Sequence, residues 1–409
     1  MKRLLLPVLL VLPFLIQAQE KGLRFDEQSS WAQIKQKAKA ENKYIFMDCF
    51  ATWCGPCKYM TNTIFPQEEV GNFMNDKFIS VAVQLDTTDN DNDYVKSWFD
   101  DGQQLAKEYG VRAYPTYLVF NPDGEAVHRF VGSSPAPEFI ERVKASLNPE
   151  TQYYTLVKKY NSGEKDPAFL RKLALASLKS YDMEMAEKVG NEYLNTQSDL
   201  YTKENLELLQ SMTNTSADSG FKLMLENPAK VDAVLGKGKA EEIVLSIIMQ
   251  EEVFPKLPKK GSLPNWNEIG NNLTEKYPQQ ADQVLAKTKV IYYQAMKDWD
   301  NFQPAVLNYM EKYGENVSPS QLNSYAWAVF ENCSDAKCIE AALEWSKRSL
   351  SGMESPMFMD TYANLLHKAG KTEEAIKWEQ KAMDMVGEGE KGDYRETLEK
   401  MKKGEKTWN

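Results

Sequence analysis

The seven residues Tyr44 to Phe50, YIFMDCF, are apolar at nearly every position. A strand that offers water neither face belongs inside a sheet covered by helices on both sides, so this run predicts an α/β domain. Before it, WAQIKQKAKAE (31–41) places apolar residues at helical spacing; after it, FISVAVQL (78–85) and TYLVF (116–120) read as further strands. NPDG (121–124) supplies a turn into a paired strand, AVHRFVG. A last helix, APEFIERVKASL, runs to Asn148-Pro149, where we place the end of a domain spanning 19–148.

Beyond residue 150 the strand signals stop, and helical segments joined by short polar turns fill 150–409. Trp345 and Trp378 lie 33 apart with Ala342 and Ala375 in step, and NSYAWAVF (323–330) returns as DTYANLLH (360–367) at a separation of 37. The extra residues fall in the turn that holds Cys333 and Cys338. Such periods resemble the tetratricopeptide repeat, with small Ala363, Ala375 and Ala382 where helices would cross closely. An irregular helical bundle is the alternative. No catalytic constellation is visible in this half, which reads as a docking or dimerising platform for a protein partner or a second copy.

The N-terminus, MKRLLLPVLLVLPFLIQAQE, sets Lys2 and Arg3 before an apolar run from Leu4 to Ile16 and then small Ala18. That order predicts a signal peptide over 1–18 and export to a periplasmic or otherwise extracytoplasmic compartment. The run is short of the roughly 20 residues that cross a bilayer, so no membrane span is expected in the mature chain. A net charge of -10 with mixed signs offers no basic face and argues against nucleic acid.

Export makes the five cysteines informative. In ATWCGPCKYM (51–60), Cys54 and Cys57 could form a redox site, half of a zinc site, or a structural disulfide. Zinc needs two more ligands, and His128, His367, Cys333 and Cys338 do not stand at the required spacing, so no metal is expected. A structural bridge across four residues would constrain little chain entropy. Redox exchange needs a thiolate and a second thiol within reach. A CxxC opening a helix supplies both, with Cys54 as nucleophile and Cys57 as resolving thiol.

The segment MDCFATWCGPCK resembles the active-site segment of thioredoxins, and the resemblance covers about residues 28 to 148. It implies a thioredoxin fold, a central mixed β-sheet flanked by helices, followed here by the all-α tetratricopeptide-like domain. It further implies that Asp48 is a buried acid and that Pro115, in AYPT, is a cis-proline. A carboxylate inside the apolar strand is costly to ionise, which would let Asp48 exchange a proton with Cys57. A cis Pro115 would present the Tyr114 backbone for pairing with substrate. Trp53, Gly55, Pro56, Tyr114 and Pro115 then become candidate substrate contacts. Cys49 reads as a buried inert thiol.

The chain departs from small thioredoxins at Asn62, where those carry a kinking proline, and in an acidic insertion, DTTDNDNDYVKSWFDDG (86–102). Both look like the exported thioredoxin-like branch. Asp89, Asp91 and Asp93 alternate like the start of a calcium loop, but Tyr94 stands where Gly is needed, so a solvated loop is expected. For NCSDAKC we expect a structural disulfide, Cys333 to Cys338, across a non-helical turn capped by Ser334 or Asp335; a relay dithiol and free thiols are the alternatives.

The resulting expectation is an exported thiol-disulfide oxidoreductase that reduces or isomerises disulfide-bearing protein substrates. It would use no cofactor beyond the Cys54-Cys57 disulfide and would draw electrons from a membrane thiol reductase. The rival is a non-catalytic scaffold in which the helical domain binds partners.

Overall fold

The strand that must be buried takes an interior place. In the computed structural model, which describes residues 21–258, 263–351 and 354–408, β1 (Tyr44–Phe50) pairs in parallel with β2 (Phe78–Gln84) and antiparallel with β3 (Thr116–Phe120). β4 (Ala126–Val131) joins β3 antiparallel, giving the mixed order β2-β1-β3-β4. The expected signal peptide, 1–18, lies outside the described residues.

The helices of this domain are α1 (Trp31–Glu41), α2 (Gly55–Tyr59), α3 (Glu68–Lys77), α4 (Asp93–Ser97), α5 (Phe99–Glu108) and α6 (Ala136–Lys144). Local chemistry sets α1 as a unit. Ser30 and Gln33 form a reciprocal capping box at its start, and Asn42 ends it in the left-handed conformation. Alternation along β1 sends Ile45, Met47 and Cys49 to a face shared with Trp31, Ile34 and Leu105. Phe46 goes to the other face, where Met60, Ile64, Met74 and Phe139 meet Tyr117 and Val119. The central strand is thus buried by both layers.

Three further helices, α7 (Tyr153–Asn161), α8 (Pro167–Lys179) and α9 (Met183–Leu194), belong to the same compact unit, which runs to Ser198. The expected boundary at 148–150 therefore falls inside that unit. Long-range hydrogen bonds to the edge strand account for this. The Tyr153 N–H donates to His128 Nδ1 at 3.0 Å, and Ser180 Oγ donates to the Arg129 carbonyl at 3.0 Å.

The second unit begins at Asp199 and is helical among the described residues, from α10 (Lys203–Met212) through α16 (Trp299–Tyr313) to α17 (Pro319–Asn332), α18 (Ala336–Ser349), α19 (Pro356–Lys368), α20 (Thr372–Met385) and α21 (Lys391–Lys403). α17 packs on α18 and α19 on α20, the segments that the sequence aligns. Ala363, Ala375 and Ala382 are fully buried. Cys333 ends α17 in extended conformation, and Cys338 sits in the first turn of α18. Both thiols are free and buried, so the expected bridge is not formed. A cap holds the turn instead: Asp335 Oδ1 accepts the N–H groups of Lys337 and Cys338, each at 3.1 Å.

Candidate active site

The sheet delivers its site at the end of β1. Pairing continues past the strands, with the Leu85 N–H donating to the Phe50 carbonyl at 2.9 Å. That contact brings Asp86 beside Thr52, whose N–H (2.9 Å) and hydroxyl both donate to the carboxylate. The acid that opens the insertion thus fastens the loop carrying Trp53 and Cys54. Sequence reasoning missed Asp86 because the tie depends on β2 lying beside β1. The one signal was an acid directly after an apolar strand.

Cys54 is the N-cap of α2, and its Sγ accepts the Cys57 N–H at 3.1 Å. A donor held on this sulfur favours its anionic form. Pro56 fits the first helical turn, where a backbone N–H is not needed. A Cβ added at Gly55 would meet no atom within 4 Å, so that side of the pair is open. Cys54 and Cys57 form a disulfide with Cα atoms 5.3 Å apart. Both are covered in this form, at 3% and 4% exposure, whereas Trp53 is 70% exposed. The Tyr114 ring packs on the pair and meets Trp53 edge-on at 5.8 Å between centroids. The Tyr114-Pro115 peptide is cis. Trp53, Gly55, Pro56, Tyr114 and Pro115 thus gather around the two sulfurs.

Asp48 is buried in β1 between Ala82 of β2 and Tyr117 of β3. Its Oδ1 has no hydrogen-bond partner. Burial alone pushes the carboxyl up to about 7. By alternation it shares the face of Phe46, the one covered by Met60 and Ile64 of the helical segment that follows Cys57. Cys49 lies on the opposite face, and burial together with the nearby Asp48 charge raises its thiol far above the ordinary range.

At the departures from the thioredoxin pattern the chain makes its own arrangements. Asn62 lies in a π-helical turn, Met60–Ile64, closed by the Phe65 N–H on the Met60 carbonyl at 2.8 Å. Such a turn interrupts a helix without proline. The insertion is not a plain solvated loop. It carries α4 and the first turn of α5, and Asp91 is buried with its oxygens taken by Gln84 and Thr88. Asp89 and Asp93 stay exposed. His367 is engaged by Thr372 and the Glu405 carbonyl. Among the described residues no group of three or more His, Cys, Asp or Glu is placed to hold a metal.

A family model described as a thioredoxin-like domain matches residues 31–146. "Thioredoxin Asp f 29" of Aspergillus fumigatus is 32% identical over 114 residues, 28% of this chain and 87% of that protein. The chloroplastic Thioredoxin Y of Oryza sativa subsp. japonica is 30% identical over 119 residues, 29% of this chain; the match spans only 58% of the rice protein. Among solved structures, a disulphide-isomerase candidate from Bacteroides thetaiotaomicron is 36% identical and matches over 32% of this chain and 98% of its own, with a TM-score of 0.27.

Proposed function

This chain belongs, through its N-terminal domain, to the thioredoxin family, and from that premise we propose that it reduces or isomerises disulfides of exported protein substrates. The observation that carries the reading is the Cys54-Cys57 disulfide at the start of α2, with the Cys57 N–H on Cys54 Sγ. In the reduced form Cys54 thiolate attacks a substrate disulfide. A Cys54-substrate S–S bond forms, the substrate bond breaks, and one substrate thiolate leaves. Cys57 then gives its proton to the Asp48 carboxylate and attacks Cys54 Sγ. The intramolecular disulfide forms, the second substrate thiolate leaves and is protonated, and two electrons have passed to the substrate. In isomerisation, a substrate thiol displaces Cys54 instead.

Exposed Trp53 and half-buried Tyr114 are the surfaces on which an extended substrate would rest. Export rests on the Lys2-Arg3 and Leu4 to Ile16 pattern. Among the described residues no helix is long and apolar enough to cross a membrane. Reduction in an oxidising compartment needs a dithiol donor, for which a membrane thiol reductase is the fitting class. The helical unit would hold a partner or a second copy, in the manner of a repeat array. A Cys57→Ala protein, expressed with its N-terminus intact, should hold substrates through Cys54 in the exported fraction. Absence of any thiol-releasable adduct there sinks the proposal.

A further inference from the structure

A cleft in the first unit carries chemistry that the dithiol does not use. It lies between α6 and α8, bounded by β4 and α7, and holds about 510 Å³. Pockets for drug-sized molecules run from roughly 300 to 1,000 Å³. Leu156, Leu175 and Ala176 give it apolar walls. Its charges are unbalanced: Arg129, Arg142, Arg171, Lys172 and Lys179 stand against Glu138 and Glu141, in a chain of net charge -10.

His128 also lines this cleft and is 8% exposed. Its Nδ1 accepts the Tyr153 N–H, which places the ring proton on Nε2. Burial, with the Arg142 charge beside it, lowers this imidazole to about 4, so the ring is neutral at pH 7. Among the described residues no protein acceptor serves the Nε2–H. On the cleft wall that donor is left to water or to a ligand oxygen. Apolar walls favour a single polar head on a hydrocarbon body, and the excess of cations favours a negative head.

We propose that the cleft binds a medium-chain alkyl carboxylate, with a carboxylate oxygen on His128 Nε2–H, counter-charge from Arg171 and Lys179, and the chain along Leu156, Leu175 and Ala176. The site is separate from the disulfide chemistry and stands whether or not that reading holds. Calorimetric titration of the full chain with dodecanoate, kept below its micelle concentration, tests it against dodecanol and dodecyltrimethylammonium. Saturable one-to-one binding of dodecanoate is expected, with dodecanol at least about tenfold weaker and no binding of the cation. Arg171→Glu should weaken dodecanoate at least about tenfold. Ala176→Trp, which fills the cleft, should abolish binding. Disulfide reduction by both variants should match the parent. Absence of dodecanoate binding, equal affinity for dodecanol, or undiminished affinity in the folded Arg171→Glu protein overturns the proposal. So does binding of an acidic peptide where dodecanoate does not bind.

Discussion

Two pairs of cysteines close together in sequence meet opposite surroundings in the two units. Cys54 and Cys57 are joined at a helix start, beside an exposed Trp53, with a backbone donor on the first sulfur. Cys333 and Cys338 flank a capped turn inside a core of Phe330, Trp345 and Leu365, and remain thiols. Burial and the neighbouring Cys333 push Cys338 up to about 12. A thiol of that kind is almost wholly protonated at neutral pH, and the thiolate is the nucleophile. Spacing brings two sulfurs near each other; a backbone donor on one of them and an exposed neighbour, Trp53, set the first pair apart.

The sharpest way to break this comparison is substitution. Cys54→Ala should lower turnover of a model disulfide by a factor on the order of 1,000 or more, because it removes the attacking group. A Cys333→Ala/Cys338→Ala double variant should stay within about twofold of the parent, since both thiols are buried in the core of the second unit and the Cys54-Cys57 pair belongs to the first. Equal losses in the two would end the distinction. Alkylation sharpens it further. In the reduced, folded protein Cys54 should react with iodoacetamide at least about 100-fold faster than Cys333 or Cys338, whose labelling should await local or global unfolding.

Asp48 extends the contrast to protons and carries the smallest effect on turnover of the substitutions that touch the site. Its folded carboxyl titrates near 7 against 3.8 for an ordinary aspartate, so the folded chain holds the proton more tightly. Stability tied to this group is present at low pH, falls as pH rises from about 4 to 7, and levels off above. At pH 8 the cost to the folded state is roughly 4 kcal/mol. Asp48→Asn should therefore raise stability by up to that amount at pH 8 and by little near pH 4, as read from denaturant unfolding. The same variant should slow resolution of the mixed disulfide by about 100-fold and remove an inflection near pH 7. A variant that is more stable yet equally fast would separate the buried charge from the mechanism.

Much of the first unit was legible because its signals are local. YIFMDCF announces an interior strand by composition, and WAQIKQKAKAE announces α1 by its apolar spacing. The site was legible for a similar reason: Trp53 to Cys57 are contiguous, and Asp48 sits on the strand before them. What escaped depends on partners remote in sequence or on small differences in geometry. Asp86 reaches Thr52 only once β2 lies beside β1. MTNTI contains neither Pro nor Gly, so nothing in it announces a π-turn. NCSDAKC has cysteine spacing compatible with a bridge, but the Asp335 cap satisfies the turn without one. Asn148-Pro149 looks like a linker, while the bonds that carry the unit past it come from Tyr153 and Ser180.

Those two bonds also bear on how the protein could be dissected. β4 is the last strand of the sheet, and an uncovered edge is a template for pairing with another chain. Cut at Leu147, the domain would keep its dithiol but lose the hydroxyl on the Arg129 carbonyl and the amide on His128. Such a fragment would expose a self-associating flank. The smallest well-behaved carrier of the redox pair is therefore defined by the end of α9, at Leu194, rather than by the limits of family resemblance.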